Sequence, residues 1–118
     1  MADEFSLTPQ ALRATANAKQ FLNDALEVAA YDQADMIVTC YGVEGTAPTA
    51  IVRIIGGMQK ETEDGWVVLA TGQAMTSTGS QRLSATGLPK YIRWEIISFG
   101  GTGTPAVIFG VGGMLRTN

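Results

Sequence analysis

Lys90-Tyr91-Ile92-Arg93-Trp94-Glu95-Ile96-Ile97-Ser98-Phe99 is the stretch that decides the fold. Ile92, Trp94 and Ile96 alternate with Tyr91, Arg93 and Glu95. A two-residue period in an extended chain puts the apolar set on one face and the polar set on the other, so this is a strand with one face in a core. Gly100-Gly101-Thr102-Gly103-Thr104 follows with turn composition. Beyond it, residues 106–115 alternate again, with Val107, Phe109 and Val111 as the inward set. Together the two stretches predict a long hairpin, and Pro105 falls at a strand start, where a missing donor is tolerated.

Upstream, short β-branched runs are separated by turn residues at the spacing of an all-β domain. The runs are residues 25–30, 35–41, 49–58 and 66–71, with an edge strand inside the polar stretch 76–87 at about 80–84. Gly42-Val43-Glu44-Gly45 closes one run, and the acidic turn Glu61-Thr62-Glu63-Asp64-Gly65 closes another. Connections this short cannot make parallel crossovers. The predicted fold is an all-β antiparallel β-sandwich of jelly-roll type. Residues 23–118 make the sandwich domain. Residues 1–22 read as an N-terminal arm, in which Thr8 and Pro9 offer a helix start but the apolar residues after them make a poor stripe, so the arm is partly helical or extended.

A chain of 118 residues is one domain, long enough to bury roughly two thirds of its unfolded surface. Two runs are apolar on both faces. Ile51 and Ile55 lie opposite Val52 and Ile54, and Ile108 and Leu115 lie opposite the inward set of the last strand. Burial against another subunit or against the arm would cover the second face. Within the arm, Phe5, Leu7 and Leu12 are the apolar anchors. Charged residues are only 16% of the chain, a surface with little like-charge repulsion against association.

Several chemistries are excluded. There is no histidine, which removes Ser-His and Cys-His nucleophile pairs and His-ligated zinc. The single cysteine, Cys40, sits in an apolar run and reads as a small buried hydrophobe. Asp32, Asp35 and the acidic turn at Glu61, Glu63 and Asp64 lie where carboxylates are ordinarily solvated. The glycine clusters at 100–103 and 110–113 lack the Lys-Ser/Thr tail of a phosphate loop. A net charge of −3, with its basic residues scattered singly, does not suit nucleic acid. The longest apolar run, residues 106–115, is too short for a membrane helix. No secretory signal opens the chain, which predicts synthesis in a cytoplasm. No enzyme activity, cofactor, metal, nucleic acid or membrane is expected.

From Glu27 to Arg116 the order of motifs resembles the head-decoration, or capsid-cement, proteins of tailed bacteriophages. The motifs are Gly45-Thr46-Ala47-Pro48-Thr49 after a strand, an Asp64-Gly65-Trp66 turn, a Tyr91-Ile92-Arg93-Trp94 strand, and the loop from Gly100 to Pro105 leading into the last strand. The resemblance implies a homotrimer or homodimer on the outer capsid surface of a virion, clamping neighbouring copies of the major capsid protein. Gly112-Gly113 and the Ala-rich arm have no counterpart in it. Two alternatives remain open. One is a carbohydrate-binding module on a virion surface that uses Tyr91, Arg93 and Trp66, with Tyr91, Arg93 and Glu95 as an exposed row. The other is a tail or connector subunit.

Overall fold

The computed structural model describes residues 2–117; Met1 and Asn118, at the outer limits of the two ranges predicted above, lie outside them. In chain order the strands are β1 (Ala2–Ser6), β2 (Leu12–Ala14), β3 (Ala18–Lys19), β4 (Leu26–Glu27), β5 (Gln33–Gly57), β6 (Val67–Thr71), β7 (Gly79–Thr86) and β8 (Tyr91–Arg116), with a single 3-10 turn at Leu22–Asp24. Every strand pairing is antiparallel, and the eight strands form one sheet. The all-β antiparallel class read from the sequence is observed.

The two longest strands correct the predicted hairpin. Residues 90–99 and 106–115 belong to one continuous strand, β8, and residues 35–41 and 49–58 to another, β5. Instead of pairing back on themselves, these strands pair with each other from Gln33 opposite Arg116 to Gly57 opposite Tyr91. Both bend at one level, where Gly45, Ala47, Ser98, Gly101, Gly103 and Thr104 have positive φ. A side chain at Gly45 would meet the Pro105 Cα at 2.8 Å, so the corner closes only on glycine. Small and turn-forming residues bend a strand as readily as they reverse it. That is why the segment at 100–104 read as a hairpin turn.

The bend folds the sheet over. Straight, β5 or β8 would run about 80 Å, whereas the longest dimension of the molecule is 44 Å. Trp94 and Phe109, about 50 Å apart on a straight strand, meet edge to face with ring centroids 5.2 Å apart. One core cluster therefore draws on both halves, with Met36 and Val38 against Val52 and Ile54 on β5, and Ile92 and Ile96 against Val107 and Val111 on β8. The layers are halves of one curled sheet rather than the two separate sheets of the expected jelly roll. Cys40 is buried in this core, as expected. Leu115 is buried there too, not on the outer face; it has the same parity as Val107, Phe109 and Val111.

The short strands line the outer edges of the β5–β8 pair. Strands β1 to β4 run beside β8 from Arg116 back to Tyr91. Strands β6 and β7 run beside β5 from Gly56 back to Gln33. At the open end of the fold residues 28–32 and 87–90 cross between the halves: the Val28 N–H donates to the Lys90 carbonyl (2.7 Å) and the Asp32 N–H to the Arg116 carbonyl (2.8 Å). The N-terminal residues are thus extended and sheet-bound. Thr8 starts no helix; its Oγ1 accepts the Val111 N–H at 2.9 Å.

Candidate contact surface

The residues proposed from sequence as partner anchors are mostly occupied within the chain. Leu7, Ile55 and Leu115 are buried. Phe5, Leu12, Ile51 and Ile108 are half-buried, and Phe5 and Leu12 pack on the core cluster. Sequence reasoning gave these strands two apolar faces, and the fold covers the second face with its own short strands and loops. The large hydrophobics exposed among the described residues are others: Phe21, Ile37, Tyr41, Met58, Val67 and Val68.

The row Tyr91, Arg93 and Glu95 is not an open ladder. Arg93 is 0% exposed and Glu95 7%, whereas Tyr91 is half-buried. Residues 58–66 fold back over this face. Trp66 packs on Gly57, and its ring centroid lies 4.1 Å from the Arg93 guanidinium carbon. The Trp66 indole N–H donates to the Thr62 carbonyl (2.9 Å), which holds the loop in this shape. Glu63 accepts two hydrogen bonds from Arg93, at 2.7 and 3.2 Å, and the Gln20 carbonyl accepts a third at 2.8 Å. Of the buried side-chain nitrogen and oxygen atoms among the described residues, only the Arg93 Nε has no hydrogen-bond partner. Hydrogen bonding from Arg93 holds the Glu63 carboxyl below the usual carboxylate range, with Arg93 and Lys19 adding coulombic pull. Beside this pair, Glu95 takes Arg53 as its main partner and Lys19 at 3.8 Å. Arg93, Lys19 and Arg53 share the two carboxylates Glu63 and Glu95, so the patch is a latch that ties the loop and the N-terminal segment to β8.

Adjoining this latch through Lys19 and Gln20, where the N-terminal strands pass β8, lies a cleft of about 860 Å³. Leu7, Leu12, Ala14, Phe21, Trp94 and Phe109 give it a largely apolar lining. Gln20 is the residue that shapes it: its backbone and side chain tie the segment to β8 and to its own neighbours. Its Oε1 accepts the Trp94 N–H (3.2 Å) and its amide donates to the Leu7 and Asp24 carbonyls (3.2 and 2.9 Å). Phe21, next in sequence, stands at the rim with 78% of its surface exposed. Arg13, also lining the cleft, is engaged by Glu44 at 3.0 Å. Nothing in the local pattern marked Gln20 or Phe21, because both lie in a stretch too short and irregular to show a period.

A second exposed area lies on the outer face of the β5–β8 pair. Ile37 and Tyr41 stand over Gly110 and Gly112, which leave a shallow trough between them and Met114. A methyl on Gly110 would touch the Tyr41 ring at 3.1 Å, so the ring lies directly on the glycine. Asp35, paired with Met114 across the sheet, accepts a hydrogen bond from Ser84 (2.8 Å) and forms an ion pair with Arg116 (3.2 Å). Its carboxyl is held below the usual range chiefly by Ser84.

No family model matches the chain, and no curated protein matches it. Among solved structures it is similar to the crystal structure of the SPBc2 prophage-derived protein YomS, with 14% identity and a TM-score of 0.49, over 96% of this chain and 93% of that chain.

Proposed function

We propose that this chain is a structural protein of a tailed-bacteriophage virion, a decoration protein that seats on the outer capsid surface and bridges copies of the major capsid protein. The observation that carries this reading is the apolar cleft rimmed by the exposed Phe21. It is concave, poor in free charge, and built for an apolar segment of another protein rather than for chemistry. The order of turn and strand motifs from Gly45 to Pro105 supports the same reading. Cementing works through contact area, at about 25 cal/mol per Å² of apolar surface before association costs are subtracted. Repetition over a symmetric shell turns a modest contact into avidity. In this reading Phe21, Leu12 and Pro9 meet the capsid, and Leu7 acts from within by holding the cleft wall.

The test is co-sedimentation of the purified protein with heads assembled from the major capsid protein of the phage that encodes it. The wild type should pellet with heads, and Phe21→Asp should bind about tenfold or more weakly, the scale of losing one apolar anchor. A wild-type protein that stays in the supernatant at every concentration overturns the reading.

A further inference from the structure

Arg93 and Trp94 are neighbours on β8, so their side chains leave opposite faces of the strand, Trp94 beside the cleft and Arg93 under the loop at 58–66. Gln20 reaches both. Its side chain accepts the Trp94 N–H and donates to the Leu7 and Asp24 carbonyls, and its own carbonyl accepts from Arg93 Nη1 at 2.8 Å. The same nitrogen donates to Glu63 at 3.2 Å, while Nη2 donates to the other Glu63 oxygen at 2.7 Å. One planar guanidinium thus carries the loop on one side and the cleft wall on the other, which a rigid fork does in a single orientation. Glu63 and the Trp66 ring set that orientation together with Gln20, because the Arg93 Nε has no partner of its own. Lys19 repeats the link from the wall side, 3.7 Å from Glu63. Beside these contacts a gap of about 720 Å³ lies between residues 19–23 and Lys60, Glu61 and Glu63.

We infer that Arg93 and Glu63 are positioning residues of the cleft: the loop at 58–66 and the cleft wall at 18–25, joined through one guanidinium, open together as a single local unit. When Glu63 leaves, Arg93 loses its two-pronged clamp, and the fork that held the Gln20 carbonyl is free to turn into water. Gln20 then keeps its side-chain bonds but loses the backbone anchor beside them. Phe21 and the 3-10 turn that follow it, closed by Asp24 N–H on the Phe21 carbonyl (3.0 Å) and Ala25 N–H on the Leu22 carbonyl (3.1 Å), lose their fixed starting point. Local units of this kind open well below the cost of global unfolding. Coupling of this sort is reciprocal, so an occupant that holds residues 18–25 in place also tightens the loop. The use of the coupling rests on the capsid-docking reading of the cleft. The coupling itself belongs to the free protein and is measured without a capsid, so each can fail alone.

Native-state hydrogen exchange followed by NMR tests it. One set of reporters is the cleft wall, the Gln20, Asp24 and Ala25 amides; the other is the loop, the Asp64 amide and the Trp66 indole N–H. In the wild type the two sets should share one protection factor and one dependence on low urea. Glu63→Gln should speed both sets together by about tenfold or more, the scale of a hydrogen bond to a charged group, and leave the β7 amides unchanged. Arg93→Lys keeps the charge but not the fork, and should give the same pattern. Asp35→Asn, which removes a carboxylate from the distant end of β5, should leave both sets as they are in the wild type. Wild-type sets that differ in protection or urea dependence, a Glu63→Gln protein in which the loop speeds and the wall does not, or uniform speeding across the whole sheet each overturns the assignment.

Discussion

Arg93 holds a full positive charge with none of its surface exposed, while its partner Glu63 keeps about half of its side chain, 53%, in water. The two are therefore not equivalent. Removing Glu63 strands a buried guanidinium, whereas removing Arg93 releases a carboxylate that water can receive. Glu63→Ala should cost about 3 kcal/mol in urea unfolding, at the low end for breaking a buried pair, and the double variant with Arg93→Met should recover much of the loss in a mutant cycle. The pH dependence has a definite sign. Glu63 is shifted down in the folded state, so its contribution is complete above the ordinary glutamate value of about 4.3. It is lost as pH falls below that value toward the folded pKa. Asp35 and Glu44 are shifted the same way, so the measurement that isolates Glu63 is the difference between wild type and Glu63→Gln, which should shrink as the solution is acidified from about pH 5 to pH 3. The position of Arg93 on the outer face was legible from the alternation in 91–96. Its burial was not, because it depends on a loop thirty residues upstream folding back, and an acidic turn carries no mark of which cation it will meet.

At the scale of the element, the long strands are held together by close backbone approach as much as by side chains. A methyl group on Gly113 would lie 2.0 Å from the Asp35 carbonyl oxygen and 2.8 Å from the Met36 Cα, both backbone atoms of the neighbouring strand. Gly113→Ala must push β5 and β8 apart where they pair, and should cost about 3 kcal/mol or more. Gly42→Ala is the contrast: its nearest neighbour would be the tip of Ile108 at 3.7 Å, an ordinary contact. Calorimetric melting should find it neutral or stabilising by about 0.5 kcal/mol, through a less flexible unfolded chain. The sequence made the strands readable in pieces. Ile92, Trp94, Ile96, Val107 and Phe109 were placed on the core side by their period, and so they are. What it did not distinguish was a strand that bends from a strand that turns back, because the glycines, threonines and prolines at 45–49 and 100–105 serve both geometries.

At the scale of the whole molecule, the N-terminal residues are part of the sheet. They satisfy the edge of β8 and wall the core beside Trp94 and Phe109. Deleting residues 1–20 removes buried Leu7 and Ala14 and opens that edge. The loss should be about 4 kcal/mol or more, from apolar burial and hydrogen bonds together, read as a lower melting temperature and as quenching of Trp94 fluorescence by added iodide. An appendage ordered only by a partner would leave both unchanged. Strands of two or three residues have no period to read, and their pairing with β8 spans nearly the full length of the chain, which is why this part of the fold was illegible in the sequence. The unbroken run of β5 and β8 through both halves has a mechanical consequence. A tensile load along either strand passes the corner through covalent backbone and is shared by a long ladder of bonds sheared side by side. The two halves therefore cannot be peeled apart like separate sheets held only by greasy contact. The molecule is in this sense one folded ribbon, whose corner carries load through its backbone and not through packing alone.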